Sequence, residues 1–158
     1  MKLNEENRNA IVNYRLQRAR ETLAEVKGNI EMEFYHVAAN RLYYACYYAV
    51  TALLIKNGYL TRTHNGVFTL FGKHFVLEGI VSKEHNKLYG TLLELRQKGD
   101  YEDWAIIEEQ DIAPLIEPAE KFIEEMKKLI NRDLSGCEAA DLLRVVQVCP
   151  LGYSVEKS

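Results

Sequence analysis

Five polar residues have side chains with the chemistry of an anion-binding site: one lies within a predicted helix, and the others lie in a turn or near a predicted helix end. Arginine can hold a phosphate or a carboxylate through two parallel hydrogen bonds. A histidine that titrates near neutral pH can accept or donate a proton. We therefore treat these residues as a candidate site for a phosphate group or a nucleotide: Arg41, His64, Arg96, Asp100 and Tyr101.

Arg41 is the most constrained of the five because it is followed by a long apolar and tyrosine-rich segment, residues 42–55. A charge within a packed helix costs several kcal/mol unless it is paired. Asp100 is the candidate acceptor, and Arg96, four residues earlier, can share its carboxylate across one helical turn. Two interpretations stay open: a salt bridge that orients the helices, or a site whose spare donors bind an anion.

His64 follows Thr63 in a turn-rich segment, where a histidine is either a solvated or capping residue or an acid–base group. The neighbouring helix also contains a group of four tyrosines. They are interpreted mainly as packing residues, and base stacking is the alternative. The tyrosines of this group are Tyr43, Tyr44, Tyr47 and Tyr48.

Charge is distributed unevenly along the 158 residues. Residues 56–98 contain seven Lys or Arg against three Glu, a net charge of +4, whereas the whole chain has a net charge of −3. A positive middle on a negative protein attracts phosphate. The alternative is chance clustering on solvated helix faces.

Composition and cysteine spacing narrow the class of protein. About half of the residues are hydrophobic, which is typical of a globular domain. Cys46, Cys137 and Cys149 form no zinc-binding pattern, so neither a metal nor another cofactor is expected. No apolar run approaches the roughly 18 to 20 residues that span a bilayer, and the N-terminus lacks the apolar core of a signal peptide. We therefore expect a cytoplasmic protein without a membrane anchor.

Hydrophobic periodicity predicts an all-α fold. Val12, Leu16 and Ala19 begin an apolar stripe with helical spacing, and the second helix is apolar almost all round, so it should lie at the centre. Pro118 should kink the last helix or delay its start. The predicted helices cover residues 6–27, 31–57, 67–78, 83–98 and 111–131, which make an up-and-down bundle of four main helices and one short one. Residues 1–131 form this domain, and residues 132–158 form a weakly structured or disordered tail.

Three segments give the chain a resemblance to the HEPN domain family, small helical domains often encoded beside minimal nucleotidyltransferases. They begin at Asn40 (Asn-Arg-Leu-Tyr-Tyr-Ala), at Thr63 (Thr-His-Asn-Gly-Val) and at Leu95 (Leu-Arg-Gln-Lys-Gly-Asp-Tyr). The resemblance extends from about residue 7 to residue 130. It implies a helical bundle, a nucleotidyltransferase-like partner in a toxin–antitoxin-like system, and a homodimer with its polar site at the cleft.

Many HEPN proteins are metal-independent ribonucleases in which four to six residues separate an arginine from a following histidine. No histidine follows Arg96 at that distance, so the chain resembles the branch with Arg-x-x-x-Asp-Tyr and no catalytic residue is assigned. The resemblance therefore favours a binding module for a nucleotide or RNA phosphate. Two alternatives stay open: a ribonuclease toxin that uses Arg96 and His64 from different parts of the fold, and a structural dimerisation domain without a ligand.

Overall fold

One helix lies at the centre of the protein and contacts all the others. The computed structural model describes residues 3–101 and 104–132, and no strand occurs in these two ranges. They contain α1 (Glu5–Glu31), α2 (Tyr35–Lys56), α3 (His64–Phe71), α4 (Lys83–Tyr101) and α5 (Glu109–Ile130), and a π-helical turn, Gly72–Val76, follows α3. The predicted bundle of four main helices and one short one is confirmed. The predicted tail, residues 132–158, lies outside the described ranges from residue 133 onward.

α2 is central because nearly its whole circumference is apolar. It packs against α1, α3, α4 and α5. Leu42, Tyr43, Ala45, Cys46 and Ala49 are fully buried. Each large apolar side chain removed from water contributes about 1.5–3 kcal/mol, so the packing around α2 provides much of the stability of the fold.

α1 and α2 form an antiparallel pair. At one end, Lys56 Nζ donates a hydrogen bond of 3.0 Å to Asn9 Oδ1. At the other end, Arg41 Nη1 lies 3.7 Å from Glu25 Oε2. Glu33 has a φ of 61° in the connecting turn. This left-handed conformation reverses the chain within three residues, so α2 begins at Tyr35 and not at the predicted residue 31.

α4 runs antiparallel to α2, as the sequence predicts. Arg96, near the end of α4, has its guanidinium carbon 5.5 Å from the centre of the Tyr43 ring, near the start of α2. α4 continues through Gly99, where we expected it to stop, and ends at Tyr101. Both candidate residues at its end, Asp100 and Tyr101, are therefore helical.

Pro118 does not interrupt α5. The helix begins at Glu109, before both of its prolines, and continues to Ile130. The predicted delay of its start is wrong because Pro114 and Pro118 lie four residues apart on the exposed face. The carbonyl groups that lose an amide partner there can bond to water.

We expect Ala45→Asp to abolish folding at ordinary temperature. Ala45 is fully buried on the central helix, and an unpaired carboxylate there would cost about 4 kcal/mol or more. Circular dichroism and thermal melting measure the loss. Ala113→Asp is the matched control, because Ala113 is exposed on α5. A native melting temperature for Ala45→Asp would show that α2 is not the central helix.

Candidate anion-binding site

A hydrogen bond between two helices is at the centre of the candidate site. The Tyr43 hydroxyl, on α2, lies 2.7 Å from Nδ1 of His64, on α3. The Tyr43 ring is fully buried and stacks on Tyr89 of α4, with ring centres 5.8 Å apart. The Tyr89 hydroxyl is buried and makes no hydrogen bond of good geometry. It is nevertheless close enough to Tyr43 to lower the pKa of the Tyr43 hydroxyl. Tyr43 therefore joins three helices, and its hydroxyl orients His64.

The N-cap of α3 fixes the backbone position of His64, the first residue of that helix. Thr63 is the N-cap residue of α3, and its Oγ1 accepts a hydrogen bond of 3.0 Å from the Gly66 amide. A side chain at Gly66 would collide with the hydroxyls of Thr61 and Thr63. The turn thus requires glycine, and its cap starts α3 three residues earlier than predicted, which makes His64 helical.

Arg96 and Asp100 form the predicted pair. Arg96 Nε lies 3.2 Å from Asp100 Oδ2, one helical turn away. The Arg96 side chain is 12% exposed and that of Asp100 is 36% exposed. Arg96 Nε is buried, and its geometry toward Asp100 is too poor for a hydrogen bond. The carboxylate therefore balances the charge of Arg96 without using its donors fully.

Arg41 has a different acceptor from the expected one. Its Nη1 lies 3.7 Å from Glu25 of α1, and its Nη2 donates a hydrogen bond of 2.8 Å to Asn40 Oδ1. Among the described residues, no ion pair joins Arg41 to Asp100. The physical reason is that Arg41 lies on the side of α2 that faces α1, where Glu25 is within reach.

The two arginines nevertheless meet at one aromatic ring. The guanidinium carbon of Arg41 lies 5.3 Å from the centre of the Tyr44 ring, and that of Arg96 lies 5.6 Å from it. His64 is 5.7 Å from the same ring, centre to centre. Arg41, His64, Arg96 and Asp100 are thus grouped around Tyr43 and Tyr44. Tyr101 is 77% exposed at the end of α4 and has no contact with the group in the described part of the chain.

Burial and charge set the protonation states in this group. The pKa of His64 is lowered by burial and by the positive charge of Arg96, and Asp100 opposes this effect. Burial raises the pKa of Tyr43 to about 12. At neutral pH the imidazole is therefore mostly neutral and the phenol is protonated. The site presents a cationic guanidinium beside a neutral imidazole, a combination that can bind a phosphate oxygen and exchange a proton with it.

A small cavity adjoins the site beyond Tyr47, whose ring centre lies 4.8 Å from that of His64. Its volume is roughly 70 Å³, and Arg15 and Thr51 are among its lining residues. Arg15 Nη1 donates a hydrogen bond of 2.9 Å to Thr51 Oγ1 there. A space of this size accommodates a few waters but not a nucleobase. This cavity therefore does not provide a base pocket beside the candidate site.

Two partners in the site were not identified from the sequence. They are Glu25, the partner of Arg41, and Tyr43, which the sequence analysis treats mainly as a packing residue. The requirement of Arg41 for an acceptor was a valid signal for Glu25, but the relative rotation of α1 and α2 had to be known. No local pattern connects Tyr43 with His64, which is 21 residues away.

Neither a metal centre nor a membrane span is found in the described residues. No three His, Cys, Asp or Glu side chains within residues 3–101 and 104–132 are grouped so that they could hold a metal ion. In the same part of the chain, no helix combines the length and the apolar character that crossing a bilayer requires.

This geometry defines the class of protein. It is an all-helical domain whose second, third and fourth helices enclose a site of arginine, histidine and tyrosine side chains. A family model described as "HEPN domain" matches residues 12–129. A UPF0332 protein of Thermotoga maritima is 40% identical over 121 residues, which cover 77% of this chain and 92% of that protein. The chain belongs to the HEPN domain family.

Two further relatives come from Methanocaldococcus jannaschii, and both are named "Putative toxin". One is 32% identical over 116 residues, which cover 73% of this chain and 86% of that protein. The other is 27% identical over 120 residues, which cover 75% and 82%. The match to the family model covers residues 12–129, so it includes α2, α3 and α4 with the candidate site.

The shared electrostatic field predicts two opposite changes at His64. Arg96→Gln should raise the His64 pKa, because the arginine lowers it, and Asp100→Asn should lower the pKa further. NMR titration of the imidazole Cε1 proton measures both shifts, and His64→Gln identifies the resonance. His74 is the internal control: its pKa is lowered by burial and by Lys73, so neither substitution should move it. If the pKa of His64 were unchanged in both variants, His64 would not be coupled electrostatically to Arg96 and Asp100.

Proposed function

We propose that this HEPN protein is a binding module that holds a phosphate group of a nucleotide or an RNA at Arg96 and His64, with Arg41 beside them. The observation that carries the proposal is the convergence of both guanidinium groups and the imidazole on the Tyr44 ring. Asp100 balances the charge of Arg96 while the site is empty. The net charge of +4 over residues 56–98 attracts anions toward it.

The grouping supports binding better than a purely structural role. A structural ion pair is most stable when both ions are fully hydrogen-bonded. Here Arg96 Nε has no well-aligned acceptor, and Asp100 is partly exposed. A phosphate oxygen offers the guanidinium a stronger acceptor, because charge-assisted hydrogen bonds to phosphate are short and directional.

The proposal includes a partner and a cellular role. Two relatives carry the name "Putative toxin", and a toxin acts together with an antitoxin partner. We assign to this chain a role in a toxin–antitoxin-like pair with a minimal nucleotidyltransferase-type partner, in the cytoplasm, where nucleotides and RNA are available. We also propose a homodimer through the partly exposed tyrosine face of α2, which would place two sites side by side.

Binding of a labelled single-stranded RNA tests the proposal. Fluorescence anisotropy with a fluorescein-labelled oligouridine at low salt should show binding that AMP and inorganic phosphate reduce. Arg96→Ala should weaken it about tenfold or more, because a charge-assisted hydrogen bond contributes about 1.5–3 kcal/mol. Asp100→Asn should strengthen it, since it removes the competing carboxylate.

Arg20→Ala is the matched control, because Arg20 is an exposed arginine of α1 outside the site. It removes the same charge and should change binding little. Thermal melting of every variant separates binding from stability. Absence of wild-type binding to all three probes, together with strong destabilisation by Asp100→Asn, would identify the pair as purely structural.

Ribonuclease activity is the second candidate function, favoured by one observation. His64 and Arg96 lie against the same two rings although they are distant in sequence. An arginine and a histidine placed together can stabilise a phosphorane-like transition state and transfer a proton. However, His64 Nδ1 is already hydrogen-bonded to Tyr43, and the Arg-to-His spacing of the HEPN ribonucleases is absent from the sequence.

We therefore expect the isolated protein to cleave RNA weakly or not at all. A labelled RNA incubated with the purified protein and EDTA, followed by gel electrophoresis, measures cleavage. Robust cleavage that is lost in both Arg96→Ala and His64→Ala would establish the ribonuclease instead. Cleavage that survives both substitutions would point to a contaminating nuclease.

A further inference from the structure

One end of the bundle carries most of the exposed apolar surface of the described residues. Residues 3–101 and 104–132 contain nine exposed large hydrophobic side chains in total. Six of the nine belong to the α1–α2 turn and to the end of α4 with the segment that follows. They are Met32, Phe34, Val37, Tyr101, Trp104 and Ile106, with Trp104 85% exposed and Ile106 76% exposed. We call these six residues the aromatic patch.

The two halves of the aromatic patch are neighbours in space, and Gly99 shows it. A Cβ atom added to Gly99 would lie 3.1 Å from Ile107 Cδ1 and 3.4 Å from His36 Nδ1. Ile107 is buried directly after Ile106, and His36 lies between Phe34 and Val37 in α2. The absence of a side chain at Gly99 thus lets the start of α2 and residues 104–107 approach the same turn of α4.

Acidic residues surround the aromatic patch. Residues 31–37 and 104–111 contain five carboxylates and no Lys or Arg. Three of them, Glu33, Glu108 and Glu109, act on one ring: the pKa of Tyr35 is raised by its partial burial and then by these three charges. The nearest cations along the chain are Lys27 and Arg41, four residues from the first range, and Lys98, six residues before the second. The patch is therefore apolar in the middle and negative at its rim.

We propose that the aromatic patch is a docking surface for a basic amphipathic segment of a partner protein, a helix with an apolar stripe flanked by Lys or Arg. Exposed apolar areas rimmed by polar groups mark interaction sites, and aromatic residues are the usual anchors of such interfaces. The charge of the rim selects the occupant, because complementary potentials fix partner choice. An amphipathic helix laid on an apolar surface is a recurrent recognition mode.

The same charges disfavour the other occupants. A two-fold pairing of this patch with a second copy would place five carboxylates of one subunit against the same five of the other. An anionic lipid surface or a nucleic acid would meet the same repulsion. A cationic and apolar protein segment is the partner that satisfies both the rim and the middle.

Trp104 provides a direct probe, because it is the only tryptophan of the chain. The test uses the full-length protein and a synthetic Leu/Lys amphipathic helix of about 18 residues, five turns of helix. Titration should shift the emission of Trp104 to shorter wavelength as its ring leaves water. A Leu/Glu peptide of the same pattern should leave the emission unchanged. Binding of the Leu/Lys peptide should weaken as salt is added, because the rim is exposed.

Two variants that retain Trp104 locate the binding surface. Ile106→Ser removes an apolar anchor and should weaken binding about tenfold. Glu33→Gln combined with Glu109→Gln removes two rim charges and should reduce both the affinity and its salt dependence. Leu77→Ser is the matched control, because Leu77 is 81% exposed outside the patch and its loss should have no effect.

Three results would overturn the proposal. Equal binding of the Leu/Lys and Leu/Glu peptides would show that the rim does not select the partner. Equal weakening by Leu77→Ser and Ile106→Ser would show that the peptide binds elsewhere. A blue shift of Trp104 that grows with the concentration of the protein alone would show that a second copy covers the patch. Circular dichroism confirms that each variant is folded.

Discussion

Burial of most of the surface of α2 is the constraint on which the rest of the structure depends. Because four other helices pack against it, every polar group near its start must find a partner on another helix or reach the surface. Tyr43 satisfies this requirement through His64, and Arg41 through Glu25. These contacts also fix how α1 and α3 are rotated against α2. The candidate site thus forms where polar groups at the edge of the core find their hydrogen-bond and ion-pair partners.

Stability and the proposed anion binding would draw on the same side chains in this site. The Arg96–Asp100 pair limits the cost of a nearly buried guanidinium, yet its geometry leaves Nε without a good acceptor. A better internal pair would stabilise the fold more and would leave nothing for an anion. Sites that bind ligands often retain such incompletely satisfied groups, which cost stability in the free protein.

The sequence predicted the helices better than it predicted their contacts. The all-round apolar character of α2 and the stripe of α1 determine the bundle, and periodicity detects both. The i to i+4 spacing of Arg96 and Asp100 made that pair predictable, because one turn of helix sets the distance. The partner of Arg41 was wrong because its choice depends on the rotation of α2 between α1 and α4. Only three-dimensional packing shows that Glu25 is within reach and that Tyr43 meets His64. The helix boundaries shifted for local reasons: a left-handed Glu33 in the first turn and a Thr63 cap before His64.

Two proposed binding surfaces lie close together at the end of α4. Arg96 belongs to the candidate anion-binding site, and Tyr101, little more than one turn later, belongs to the acid-rimmed aromatic patch. Asp100 lies between them in the sequence and pairs with Arg96. A basic segment on the patch would add positive charge near the end of α4 and would raise the potential around Arg96. Docking of such a partner would therefore favour anion binding at the site and would not compete with it. By reciprocity, an anion at Arg96 would strengthen the docking of the basic segment.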